Sequence, residues 1–223
     1  MSESIHIGLV DDDSAVLDSL QLYFARHRVG TSCFASAEAL LASLDGGAQP
    51  DCIVSDIRMP GMSGLDLLQR LKERRSMPPL ILITGLGDIE MAVAAIKNGA
   101  FDFIEKPFDE GRLLVSVRSA AALGRQRARD AAEIDKLRSR FDALSARQRQ
   151  VMALATAGMS NKEIASQLDI SPKTVENHRA WVMERMDAKS LAELVRIAMK
   201  LDERPSACFS HFDGWGPSGN RHR

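Results

Sequence analysis

The chain has 223 residues, 45% of them hydrophobic, 26% charged and 5% aromatic, with a formal net charge of −1, the composition of an ordinary globular protein of one or two domains. No apolar run reaches about 18 residues and "MSESIHIGLV" has no basic stretch ahead of an apolar one, which argues against a membrane span and against export. The charge is unevenly placed. Residues 1–124 hold 11 Lys and Arg against 17 Asp and Glu, whereas residues 125–201 hold 15 against 10, so an acidic first part precedes a basic second part suited to a polyanion.

In chain order, short apolar runs alternate with longer amphipathic ones: "IHIGLV" then 14–28, "GTSCF" then 36–44, "CIVSD" then 64–75, "LILIT" then 88–98, "AFDFI" then 109 onward. Five such alternations predict an α/β fold with a doubly wound, five-stranded parallel sheet. Ser14, Ser36, Ser63, Asp88 and Asp109 stand where an oxygen side chain can cap the following helix. Cys33, Cys52 and Cys208 are odd in number and lack metal spacing; two lie in strand-like runs as small hydrophobes, in keeping with a reduced, cytoplasmic protein.

Asp11, Asp12, Asp56, Thr84 and Lys106 fall at or just past the C-terminal ends of four of the apolar runs. Those ends share one edge of a parallel sheet, so the five residues are predicted to meet in one pocket. At ~5 Å and an effective dielectric of ~20, two carboxylates repel by roughly 3 kcal/mol, so a cation is needed to keep them ionised. Hard oxygen donors favour Mg²⁺. "VDDDSAV" admits a second reading as the Asp-x-Asp motif of haloacid-dehalogenase-type phosphatases, with Asp11 as nucleophile and Asp13 as general acid.

"LVDDDSAV", "IVSDIRMPGMSG", "LITG" and "FIEKPF", in that order, resemble the receiver domain of two-component response regulators, a flavodoxin-like fold, over residues 5–122. The resemblance implies that Asp56 takes a phosphoryl group from a sensor histidine kinase. It further implies that Asp11, Asp12, Asp56 and the Arg58 carbonyl hold Mg²⁺, that Thr84 and Lys106 bind the phosphoryl group, and that Lys106–Pro107 is cis. Phe103 matches an aromatic switch position that turns inward as Thr84 moves.

Residues 123–141 read as an extension of the last helix leading into a charged linker, with Arg125, Arg127 and Arg129 on a solvated face. Residues 142–201 carry helical signals alone: 145–157, 161–168, 172–186 and 190–201. Asn161, Ser171 and Ser190 are the predicted caps, with Pro172 at the first position of its helix. A short helix, a tight connection and a second helix predict a smaller, all-α helix-turn-helix domain. Ile164, Ala165, Leu168, Ile170, Val175, Val182 and Met186 form its apolar seam, with Trp181 taken as core and His178 as packed or capping.

"LSARQRQVMALATAGMSNKEIASQLDISPKTVENHRAWVMERMDAKSLAELV" resembles the DNA-binding domain of the LuxR/NarL/FixJ response regulators, with Gln148 where that family commonly has Glu. The resemblance implies that Glu176, Asn177 and Ala180 face bases. Lys162, Lys173, Thr174 and Arg179 are then placed for phosphates or nearby base edges. The implied partners are a sensor histidine kinase, double-stranded promoter DNA, RNA polymerase and, after phosphorylation, a second copy of the chain. The 202–223 tail mixes Gly, Pro and Ser with isolated aromatics and reads as loosely ordered.

Overall fold

The computed structural model describes residues 4–74, 77–85 and 89–202. The chain divides into two compact units, Met1–Asp130 and Ala131–Arg223. The predicted cap Asp88 and the tail beyond Asp202 lie outside the described residues.

In the first unit β1 (Ile5–Val10), β2 (Val29–Phe34), β3 (Cys52–Asp56), β4 (Leu80–Thr84) and β5 (Asp102–Glu105) form one parallel sheet in the order β2-β1-β3-β4-β5. Between them run α1 (Ser14–Arg26), α2 (Ala37–Asp45), α3 (Gly64–Lys72) and α4 (Ile89–Lys97), and α5 (Glu110–Asp142) follows β5. Period-two alternation in the strands supplies both faces. Ile7, Leu9, Ile81 and Ile83 point to one side, where Leu17, Leu20 and Phe24 of α1 and Leu113, Val117 and Ala121 of α5 cover them. On the other side Ile53, Leu80 and Leu82 meet Leu40 of α2, Leu67, Leu68 and Leu71 of α3 and Ala95 of α4. The strand order reverses between β1 and β3, which opens a crevice at their C-terminal ends.

Two predicted caps shift by one residue. Asp13, not Ser14, caps α1, its Oδ1 accepting from the Ala15 N–H at 2.8 Å. In the second unit Ser160, not Asn161, caps α7, because Glu163 three residues on completes a reciprocal capping box. Asn161 Oδ1 instead accepts from Arg179 Nη1 at 2.7 Å.

The predicted charged face at Arg125 is also corrected. Arg125 donates through Nε and Nη2 to both oxygens of Asp51, at 2.9 and 2.8 Å, and Nη2 reaches the Ser4 carbonyl at 2.8 Å. The His6 amide donates to the same carboxylate at 2.9 Å, and Asp51 N returns a bond to the His6 carbonyl. α5 can come this close because residue 124 is glycine; a Cβ there would run into the Asp51 carbonyl.

The second unit contains α6 (Ala146–Thr156), α7 (Asn161–Leu168), α8 (Pro172–Met186) and α9 (Leu191–Asp202). Leu137 and Phe141 of α5, with Leu144, are buried here against Met152, Val182, Met186, Leu194, Ile197 and Leu201. A second cluster joins Val151, Leu154 and Ala155 of α6 to Ile164 and Ala165 of α7 and Val175 of α8. Asp169, at φ 51°, makes the left-handed turn between α7 and α8 while Ile170 N donates back to the Ala165 carbonyl. Gln148 completes a capping box with Ser145 on α6, so the amide there does what a carboxylate would.

Candidate functional site

Asp11 follows β1, Asp56 ends β3, Thr84 ends β4 and Lys106 follows β5, so the crevice at the strand-order reversal gathers them. Asp11 and Asp56 are almost fully covered, at 6% and 9% exposure. Lys106 Nζ lies between them, 2.7 Å from Asp56 Oδ1 and 3.1 Å from Asp11 Oδ2. The remaining oxygens are held by the backbone: Arg58 N donates to Asp56 Oδ2 at 2.7 Å and Asp13 N to Asp11 Oδ1 at 3.0 Å. Thr84 is buried, and its carbonyl accepts from Lys106 N at 2.6 Å, which ties the hydroxyl-bearing residue to the ammonium-bearing one. The Lys106–Pro107 peptide is cis.

The sequence predicts three acids in this pocket; the structure brings two into contact with Lys106. Asp12, in the bend that follows β1, is exposed. Phe103 is half-buried on β5, packed against the core on the α2–α3–α4 side. Asp13 is engaged as a helix cap, which removes it from the general-acid role that the phosphatase reading requires.

Burial, ahead of every other influence, pushes the Asp11 carboxyl above its usual 3.8; the Asp13 amide and Lys106 pull it back and the Asp56 charge adds to the rise. Burial also works against the Lys106 charge, yet the bonds to Asp56 and Asp11 outweigh it and hold the ammonium above its usual 10.5. The pocket therefore concentrates anionic oxygen in a place where water solvates it poorly, and one cation already answers it. Among the described residues no three His, Cys, Asp or Glu side chains are grouped as a metal cage. Two converging carboxylates nevertheless fit Mg²⁺, which binds through one or two protein carboxylates and retains water for its other positions.

On the second unit, Lys173, Glu176, Asn177 and Ala180 lie on the exposed side of α8, and Lys162 is exposed on α7. Lys173 Nζ bonds Glu176 Oε2 at 2.7 Å, which keeps that exposed carboxyl below its usual 4.5. Two of the predicted phosphate contacts also make bonds within the unit. Thr174 closes the start of α8, taking part in bonds to Ser171 Oγ through its N–H and hydroxyl, and Arg179 holds α8 to Asn161 at the start of α7. Trp181, predicted as core, is 54% exposed on α8. Helical spacing carried the signal, since residue 181 follows Asn177 by one turn on the outward face. Arg125 and Asp51 are 74 residues apart, and nothing local announced their pairing.

The family model for the response regulator receiver domain matches residues 7–118, and that for bacterial regulatory proteins of the luxR family matches residues 142–198. The chain is 44% identical to the transcriptional regulatory protein FixJ of Bradyrhizobium diazoefficiens, over 90% of this chain and 97% of that one. It is 41% identical to the response regulator protein TodT of Pseudomonas putida, over 88% and 86%. Among solved structures it resembles the response regulator StyR, with a TM-score of 0.76 and 34% identity over 89% of this chain and all of that one. Full-length FixJ from B. japonicum gives a TM-score of 0.54 at 43% identity over 92% and 100%.

Proposed function

The chain belongs to the two-component response regulators that join a receiver domain to a LuxR-type DNA-binding domain and act in transcriptional regulation, and from that premise we propose that Asp56 is its phosphoacceptor and that phosphorylation governs dimerisation and promoter binding. The observation that carries the reading is the Asp11–Lys106–Asp56 cluster, with an ammonium held 2.7 Å from the proposed nucleophile. A carboxylate is a modest nucleophile, so alignment and charge neutralisation must supply the rate.

In the proposed step an Asp56 oxygen attacks the phosphorus of a kinase phosphohistidine, the N–P bond breaks, and the imidazole leaves with the bonding pair. Asp11, Asp12, Asp56 and the Arg58 carbonyl would hold Mg²⁺, whose chemistry there is to neutralise charge on the phosphoryl oxygens. Lys106 supplies the second positive charge, and Thr84 donates its hydroxyl to a phosphoryl oxygen. Movement of Thr84 lets Phe103 turn inward, which couples the covalent event to the α4–β5–α5 face, the proposed dimer surface. The protein turns over no substrate; it modifies itself.

Two paired copies present two α8 helices, with Lys162, Lys173, Glu176 and Asn177 toward the duplex, so a two-half-site operator is held at a higher effective concentration than one domain achieves. Promoter DNA, a sensor histidine kinase and RNA polymerase are the partners of this reading.

Incubation with a small phosphodonor and Mg²⁺, followed by mapping of the modified residue, tests it. A label on Asp56 that disappears in Asp56→Asn is expected. A label on Asp11, or none, overturns it.

A further inference from the structure

The outward side of α8 carries one residue that the base-reading and phosphate-binding roles leave unexplained. Trp181 is 54% exposed, and it is the only exposed Phe, Tyr or Trp among the described residues. The buried side of the same helix is filled by Val175, Val182 and Met186, so Trp181 is not a core residue displaced by a neighbour. A side chain that can bury 150–250 Å² is held against water instead.

Its place on the helix says what could cover it. Trp181 follows Asn177 by four residues, about 6 Å further along the axis and about 40° round it. In a helix-turn-helix the N-terminal residues of the second helix reach base edges, so a residue one turn further back meets the wall of the major groove. That wall is deoxyribose and phosphate. An indole has an apolar face for the sugar carbons and a single N–H donor with no acceptor, which matches a phosphate oxygen and has nothing to offer another donor. Arg185, exposed one turn beyond Trp181 on the same helix, brings the positive charge that such a backbone requires.

We propose that Trp181 is a DNA-backbone contact, its ring packed on a deoxyribose of the groove wall and its Nε1–H donated to the adjoining phosphate. The proposal deepens the reading of α8 as the DNA-facing helix and rests on it. Because sugar and phosphate are common to every sequence, Trp181 contributes affinity and not choice of base.

The chain has two tryptophans, so W215F leaves Trp181 as the sole tryptophan, selectively excited at the red edge, in an otherwise full-length protein. Iodide quenching of W215F is measured with and without a random-sequence 30-base-pair duplex at low salt, and duplex affinity is measured for Trp181→Ala, Trp181→Phe, Lys173→Ala and Asn177→Ala by anisotropy. Shielding of Trp181 by the duplex, reversed by salt, is expected. Trp181→Ala should weaken random and selected duplexes alike by about five- to fifty-fold, with Trp181→Phe in between. If Lys173→Ala weakens binding while Trp181 stays open to iodide on the duplex, the Trp181 contact is wrong and the DNA-facing helix stands. If no α8 variant changes duplex affinity, the helix assignment fails and the contact with it. Shielding that appears with protein concentration alone, without DNA, also overturns the proposal and marks a surface between copies. A Trp181→Ala chain that fails to melt cooperatively is replaced by the Trp181→Phe and quenching results, which decide the matter by themselves.

Discussion

The Lys106 ammonium sits 2.7 Å from Asp56 Oδ1 while Arg58 N grips the other oxygen of the same carboxylate, so the proposed nucleophile is fixed from both sides before any phosphodonor arrives. Lys106→Met keeps the unbranched apolar stem of the side chain and removes its charge. Phosphoryl uptake by Asp56 should fall by roughly 100- to 1,000-fold, the size of effect seen when one preorganised donor is lost from an anionic transition state. Time courses of label incorporation would reveal it, and wild-type rates would contradict it.

Asp11 gives a pH signature. Its native pKa is raised above 3.8, so the native state binds a proton more tightly there than the unfolded chain does. The associated stability is fully present below pH 3.8 and is lost as pH rises through the native pKa. Bound Mg²⁺ should offset that loss, adding about 1.4 kcal/mol at tenfold its Kd. Thermal melts are expected to gain more from Mg²⁺ at pH 8 than at pH 4, and Asp11→Asn should flatten the difference. Equal gains at both pH values would count against a metal at these carboxylates.

Gly64 opens α3 immediately beside Asp56. A Cβ at this position would run into the Asp56 carbonyl and stand 3.0 Å from Ile57 Cα, both backbone atoms with no freedom to turn aside. Gly64→Ala should therefore cost about 1–3 kcal/mol of stability. It should also slow labelling of Asp56 beyond what the stability loss explains, since a displacement near 1 Å can cost about 100-fold. Denaturation and labelling measured on the same sample separate the two effects.

Arg125 and Asp51 supply a second pH prediction, of opposite sign. Burial pulls Asp51 upward, but the Arg125 guanidinium and the His6 amide outweigh it and leave the carboxyl below its usual 3.8. The contribution is present above pH 3.8 and is lost as pH falls through the depressed native value. Arg125→Ala should cost roughly 1.5–3 kcal/mol at pH 7, with the gap to wild type closing in more acidic solution. A gap independent of pH would show that the guanidinium acts through packing alone.

On DNA, Lys173→Ala should weaken all duplexes alike and reduce the log–log salt slope by about 0.9. Asn177→Ala should relax preference at one base position by about 1–3 kcal/mol. Equal losses on specific and random duplexes for Asn177→Ala would remove it from the base-reading set.

The sheet and the helix-turn-helix were readable because their signals are local. β1 spans "IHIGLV" and α7 and α8 begin and end where apolar spacing and Pro172 placed them. The Asp11, Asp56 and Lys106 cluster was readable because strand ends of a parallel sheet share an edge. What escaped depends on competition or distance. Ser160 and Asn161 can each cap a helix, and only the partner three residues on, Glu163, decides between them. Arg125 finds Asp51 across the tertiary fold, and Trp181 looked like core by residue type although its helical phase points outward.

The distribution of α5 between two hydrophobic cores decides where the chain can be cut. Phe141 and Leu137 are 2% and 7% exposed, closed in by Met186, Ile197 and Leu201, although the luxR-family match begins only at residue 142. A fragment started at that match would leave behind two of the side chains that fill its interior and offer a raw apolar hollow to solvent. One started at Ala131 would carry its own plug, and those eleven residues separate a sound autonomous fragment from a sticky one.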